Sequence, residues 1–118
     1  MDYAAKIMAP DNITCVLEPL SIRPNYYLRS YEEAVKIVSR SGQQPNMKVM
    51  LDTFHMQRLG GNLTETIKNV SNVTGHVQVS QVPLRNCPMS SGEINYGYIL
   101  KQLSKFYTDY VGLEYFSE

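Results

Sequence analysis

Four short apolar runs each carry one acidic or amide residue at or near the end: Glu18, Asp52, Gln78 and Glu114. They are spaced 34, 26 and 36 residues apart, about one strand-plus-helix unit each. Three carboxylates brought together repel one another and cannot all stay ionised unaided. A divalent cation resolves that conflict. Three carboxylates and an amide oxygen make a hard, all-oxygen donor set, which suits Mg²⁺ or Mn²⁺ better than Zn²⁺. Strand-end polar residues that merely face solvent would show the same spacing, so the four must converge for this chemistry to hold.

Other side chains stand close to these in sequence. His55 follows Asp52 by three residues and Arg58 follows His55 by three, so His55 is a candidate for substrate contact. Arg85 lies in the 81–92 loop after the third run. Loops at that end of the strands are where barrel enzymes hold substrates. His76 shares a strand face with Gln78 but sits deeper, as a hydrogen-bonded core histidine would. Cys15 is expected to point away from the face of Glu18 and into the core. Cys87 has no base near it in sequence and is a weak nucleophile candidate.

The elements that must position these residues follow from periodicity. The runs 13–17, 47–51, 76–80 and 111–116 have strand length and are rich in valine and isoleucine. Side chains alternate along a strand. His76, Gln78 and Ser80 therefore share one face, and Glu114 shares its face with Gly112. Three helical segments separate the runs. Ser30 with Glu33 fits a capping box, Tyr31, Ala34, Val35 and Val38 form a stripe, and Gly42 is a stop. Asn62 is expected to cap a second helix and Asn95 to start a third. This alternation implies parallel strands with right-handed crossovers. Either an open doubly wound sheet or part of a (β/α)8 barrel satisfies it. No Gly-x-Gly-x-x-Gly follows a strand, which argues against a dinucleotide site.

Composition narrows the function classes. The chain has 118 residues, 43% apolar and 19% charged, so it reads as one ordered domain. Eleven basic and eleven acidic residues balance, which argues against a nucleic-acid partner. No apolar run approaches the roughly 20 residues of a membrane span, and the first residues lack signal-peptide character. Two cysteines build no disulfide framework. The expectation is a cytoplasmic protein without a membrane partner, and the sequons at Asn12, Asn62, Asn69 and Asn72 read as chance matches.

Longer stretches carry a resemblance. Leu17-Glu18-Pro19-Leu20, Asp52-Thr53-Phe54-His55-Met56-Gln57-Arg58, Gly75-His76-Val77-Gln78-Val79, Arg85, Gly92-Glu93-Ile94-Asn95-Tyr96 and Gly112-Leu113-Glu114-Tyr115 resemble hydroxypyruvate isomerases. These belong to the xylose isomerase-like barrels, and the match runs through nearly the whole chain in order. The resemblance implies interconversion of hydroxypyruvate and 2-hydroxy-3-oxopropanoate. It implies that Glu18 and Glu114 are the acid/base pair and that Glu18, Asp52, Gln78 and Glu114 bind the metal. It also implies that His55 and Arg85 contact a small hydroxy-carbonyl acid. A keto-sugar epimerase of the same superfamily is the alternative, but it usually has histidine where Gln78 stands. An abasic-site endonuclease of this fold needs many more histidines than the two present.

A whole barrel needs about 250 residues. The resemblance therefore covers only the last four strands, and residues 1–118 read as the C-terminal half of a barrel, a fragment. A truncated remnant without catalysis is a further alternative. Such a half leaves two open sheet edges, which invite self-association.

Overall fold

The computed structural model describes residues 2–41 and 44–117. Helix α1 (Asp2–Met8) leads through a 3-10 turn to strand β1 (Cys15–Leu17). Then come α2 (Tyr31–Arg40), β2 (Met47–Asp52), α3 (Thr53–Leu59), α4 (Leu63–Val70), β3 (Thr74–Val79), α5 (Tyr96–Leu103) and β4 (Val111–Leu113). The four strands form one sheet in the order β1-β2-β3-β4, and every neighbouring pair is parallel. Sequential order decides between the two architectures left open above. A doubly wound sheet reverses its strand order at a switch point, whereas right-handed crossovers in constant sequence build a barrel wall. The fold is a partial TIM barrel.

Burial separates the two faces. Met47, Val49 and Leu51 of β2, and Val77 and Val79 of β3, are buried with Cys15 and Leu17. The helices cover this side through Tyr31, Ala34 and Val38 of α2, Ile67 and Val70 of α4, and Tyr96, Ile99 and Leu103 of α5. Val16, Lys48, Met50, His76 and Gln78 occupy alternate positions and are half-buried. Cys15 is core, as expected. His76 is not: it is half-buried, with Nδ1 3.4 Å from the Tyr107 hydroxyl.

One irregularity sets the register of the site. Between β2 and β3 the pairing shifts, from Val49 opposite Thr74 to Met50 opposite His76. Gly75 is the extra residue of this bulge. A Cβ there would lie 2.5 Å from Lys48 Cβ and 3.0 Å from Val16 Cγ1, so only glycine fits. The shift places Asp52 level with Gln78, which in turn pairs with Gly112.

Several element boundaries differ from the sequence expectations. β1 starts at Cys15 rather than Ile13, because the Ile13 amide still donates to Met8 O, 3.2 Å, as the chain leaves the 3-10 turn. β4 ends at Leu113. Beyond it, the Glu114 amide bonds Val79 O at 3.3 Å, and the Phe116 amide turns to Arg85 O at 2.8 Å. The segment after β2 is helical at once, as α3, which the sequence pattern did not suggest. Ser30 and Asn95 cap α2 and α5, accepting from the Glu33 and Tyr98 amides. Asn62 stands at the start of α4, but its φ of 48° turns the side chain away from capping geometry. The Gly42 stop lies outside the described residues. Among those residues, no helix is long and apolar enough to cross a membrane.

Tyr31 ties the first helix layer to the sheet. Its buried hydroxyl donates to Asp52 O at 3.0 Å and accepts from Asp52 N at 3.1 Å. Burial pushes this phenol above its ordinary pKa, so it stays protonated and able to donate. Tyr31→Phe is expected to lower stability by about 1–3 kcal/mol, the cost of leaving buried backbone groups unpaired. Urea denaturation of the two chains measures it, and equal midpoints would remove the tyrosine from this role.

Candidate active site

The site is assembled around Asp52, the last residue of β2 and the N-cap of α3. Its Oδ1 accepts from the amides of Phe54 (2.8 Å) and His55 (3.2 Å). An aspartate in that position answers two otherwise unpaired donors of the helix. The side chain is wholly buried. With Oδ1 committed to the helix, Oδ2 faces Arg85 Nη2 at 3.5 Å and His55 Nε2 at 3.9 Å. Burial pushes the Asp52 carboxyl up to about 6, with Glu114 adding, against the lowering influence of the His55 and Phe54 amides and of Arg85.

Glu18 follows the last residue of β1 and reaches the same space. Its Oε1 is buried without a hydrogen-bond partner and lies 3.7 Å from His55 Nε2. Burial, then the charges of Asp52 and Glu114, push its pKa up to about 7, and Arg85 opposes them. Crowded carboxylates share the space, as the sequence required.

His55 sits in the first turn of α3 and is fully buried. Its Nδ1 is 3.1 Å from the Ser21 amide nitrogen and 2.9 Å from the Ser21 hydroxyl. Its Nε2 has no partner within hydrogen-bond distance. Burial, with Arg85 and Arg58 nearby, lowers its pKa to about 4, so the ring is neutral at pH 7.

Arg85 is the counter-charge. Its Nη2 is 2.8 Å from Glu114 Oε2, while Glu114 itself is about half exposed. The guanidinium lies over the rings of Phe54 (5.0 Å) and Phe116 (5.8 Å), a cation–π setting that holds its plane. The backbone turns at Arg85 with φ 56°. Gln81 anchors this loop: its buried amide accepts from Val82 N and Ile94 N and donates to Ile94 O at 3.0 Å. A Cβ at Gly92 would come within 2.2 Å of Gln81 Cγ, so a glycine must cover that amide.

Structure thus brings Glu18, Asp52, His55, Arg85 and Glu114 together. Gln78 is placed by register beside Asp52. Cys87 is half-buried in the loop. The sequence pattern places Tyr31 on a helix stripe and Phe54 in the Asp52–Arg58 stretch, but it assigns no site role to Ser21, Tyr31, Phe54, Gln81 or Tyr96. The Tyr96 hydroxyl is 2.7 Å from Thr53 Oγ1 and donates to Ser80 O at 2.6 Å, fixing the ends of β2 and β3. A cleft of about 550 Å³ opens among α2, α3 and α4 beside Arg29, Met56 and Asn69. It lies on the helix side of the sheet, away from the carboxylates.

The two carboxylates fit a divalent cation. Among the described residues, one ligand atom from each of Glu18 and Asp52 lies within 4.8 Å of the other, with a His55 ring nitrogen at the same range, and the orphaned Glu18 Oε1 faces this gap. The charge crowding has a measurable consequence. Because the folded-state pKa of Glu18 is raised, folding favours its protonated form. Stability is fully retained below the unfolded value near 4.5 and is lost as pH rises to about 7. In metal-free buffer, Glu18→Gln is expected to be more stable than the parent chain by about 1–3 kcal/mol at pH 8, with the gap closing toward pH 4.5. Denaturant melts at the two pH values decide it; a pH-independent gap would contradict it.

Comparison with known proteins agrees with this architecture. The sequence matches the xylose isomerase-like TIM barrel family over residues 1–118. It is 39% identical to the Xenopus laevis protein named "Putative hydroxypyruvate isomerase", over 98% of this chain and 43% of that one. A 2-oxo-tetronate isomerase of Haemophilus influenzae is 40% identical over 96% of this chain and 44% of its own. The crystal structure titled AP endonuclease, family 2, from Brucella melitensis superimposes with a TM-score of 0.90 at 39% identity, over 97% of this chain and 45% of that one. The chain spans less than half the length of the relatives it matches. Four parallel strands in sequential order, carboxylates at their carboxyl ends and these relatives lead to one conclusion: the chain belongs to the xylose isomerase-like TIM barrel family.

Proposed function

We propose that this chain carries the proton-transfer site of a small hydroxy-carbonyl acid isomerase, interconverting hydroxypyruvate and 2-hydroxy-3-oxopropanoate. One observation carries the reading: Glu18, Asp52 and Glu114 converge with Arg85 and His55 around buried polar atoms that lack partners. The isomerase relatives support the reaction class.

Isomerisation moves a proton between adjacent carbons and shifts a carbonyl. Glu18 and Glu114 are the acid/base pair: one carboxylate takes the proton next to the carbonyl, giving an enediolate, the hydroxyl proton passes from one enediolate oxygen to the other, and the second carboxyl group returns a proton to the neighbouring carbon. Without a cation, burial pushes the Glu18 carboxyl up to about 7; a bound divalent ion would favour its ionised form, the form that accepts a proton. Glu18, Asp52, Gln78 and Glu114 would hold a Mg²⁺ or Mn²⁺ ion. When bound, that ion supplies positive charge to stabilise the oxygens of the substrate. Arg85, with its plane set by Phe54 and Phe116, offers a fork of donors to the substrate carboxylate. His55 presents Nε2 to a substrate oxygen.

A second reading shares this chemistry on a larger acid, and the 2-oxo-tetronate isomerase relative favours it. A substrate panel separates the two. The keto-sugar epimerase alternative has less support, since Gln78 stands where those enzymes usually carry histidine. A nuclease reading likewise has little in this chain to support it: two histidines and zero net charge.

Glu114→Gln, made in an enzyme with all its strands, is expected to slow exchange of the substrate carbon-bound proton with solvent by about 10²–10⁴-fold, while substrate binding is largely kept. Deuterium exchange followed by NMR measures it. Unchanged exchange would remove Glu114 from the mechanism.

A further inference from the structure

We propose that Ser21 is a positioning residue: through its backbone amide it fixes His55 as the Nε2–H tautomer, which makes Nε2 a hydrogen-bond donor and not a metal ligand. The Ser21 amide nitrogen lies 3.1 Å from His55 Nδ1. A backbone N–H can only donate, so Nδ1 must present its lone pair. A neutral imidazole carries one hydrogen, which therefore sits on Nε2. The Ser21 hydroxyl, 2.9 Å from the same nitrogen, could serve either tautomer; the amide cannot.

The loop is built to hold that amide in place. The Leu20 amide bonds Leu28 O at 3.1 Å and closes the segment between them. Arg29 Nη1 donates to Arg23 O at 2.7 Å and reaches Ser21 O at 3.5 Å. On the other side, α3 fixes the ring, because the His55 amide is capped by Asp52. The loop carrying the Ser21 amide is thus tied by a backbone bond and by the Arg29 side chain, and the His55 backbone by the Asp52 carboxylate.

Proximity alone would group His55 with Glu18 and Asp52 as a three-ligand site. A protonated Nε2 has no lone pair to give to a cation. Nor does it bond the neighbouring carboxylates, at 3.7 and 3.9 Å, distances too long for a hydrogen bond. A donor and the orphaned Glu18 Oε1 face the same gap, and a neutral oxygen, such as a substrate hydroxyl or carbonyl, accepts from this donor. That last step rests on the isomerase reading; the tautomer does not.

Nitrogen-15 NMR of the labelled chain tests it. The expected result is a hydrogen-bond scalar coupling between the Ser21 amide nitrogen and His55 Nδ1, with the proton on Nε2. Adding Mg²⁺ is expected to leave that proton in place. Ser21→Ala, which keeps the amide, is expected to keep the tautomer, and Ser21→Pro, which lacks the N–H, to lose the coupling and shift the ring toward a mixture. A proton on Nδ1, or loss of the Nε2 proton on Mg²⁺ addition, would overturn the assignment; the parent chain decides this even if Ser21→Pro does not fold. Calorimetry with hydroxypyruvate on an enzyme with all its strands reads the other claim separately. No binding with the tautomer intact would sink the isomerase reading and leave Ser21 in its role.

Discussion

Carboxylates that share a poorly solvated space impose the constraint on which this structure turns. Asp52 and Glu114 raise the cost of ionising Glu18, Glu114 raises that of Asp52, and burial of Glu18 and Asp52 is the largest cause in both. Arg85 offsets part of that cost from 2.8 Å and 3.5 Å. A fold gains no stability from such an arrangement. Burying charge is unfavourable unless it is paired, and Glu18 keeps an unpaired buried oxygen. Strain of this kind concentrates where chemistry is done.

The scaffold supplies the convergence through backbone, not through long flexible side chains. Consecutive parallel strands present their ends side by side. The bulge at Gly75 sets Gln78 level with Asp52. Asp52 links sheet to helix: one oxygen caps α3, the other faces the site, and Tyr31 grips its backbone. Because α3 begins at the end of β2, His55 is placed within reach of both Glu18 and Ser21. The Phe54 beside it packs on Arg85. Three consecutive residues, Asp52 aside, therefore set a helix start, an arginine plane and an imidazole: Thr53 meets Tyr96, Phe54 meets Arg85, and His55 meets Ser21.

Local signals were legible in the sequence. Strand alternation located the polar face and the core placement of Cys15. Short-range cap chemistry located Ser30 and Asn95. The α3 helix did not show in the periodicity, because its two turns follow the strand without a loop. Asn62 shows the limit of cap rules, since residue type does not fix its left-handed backbone. What stayed hidden depends on distance along the chain. Ser21 and His55 are 34 residues apart, and Tyr31 and Asp52 are 21 apart. Phe116 reaches Arg85 only once β4 is in place. Gln81 reads as an ordinary loop residue until Gly92 and Ile94 fold over it. No periodicity reports such contacts.

The central claim is spatial and can be seen directly. Crystals of the chain equilibrated with Mn²⁺, measured for anomalous scattering, are expected to show one peak bounded by the oxygens of Glu18, Asp52, Gln78 and Glu114, with His55 Nε2 outside its coordination sphere. A map with no peak there, or with the ion bound elsewhere while these side chains stay ordered, would contradict it.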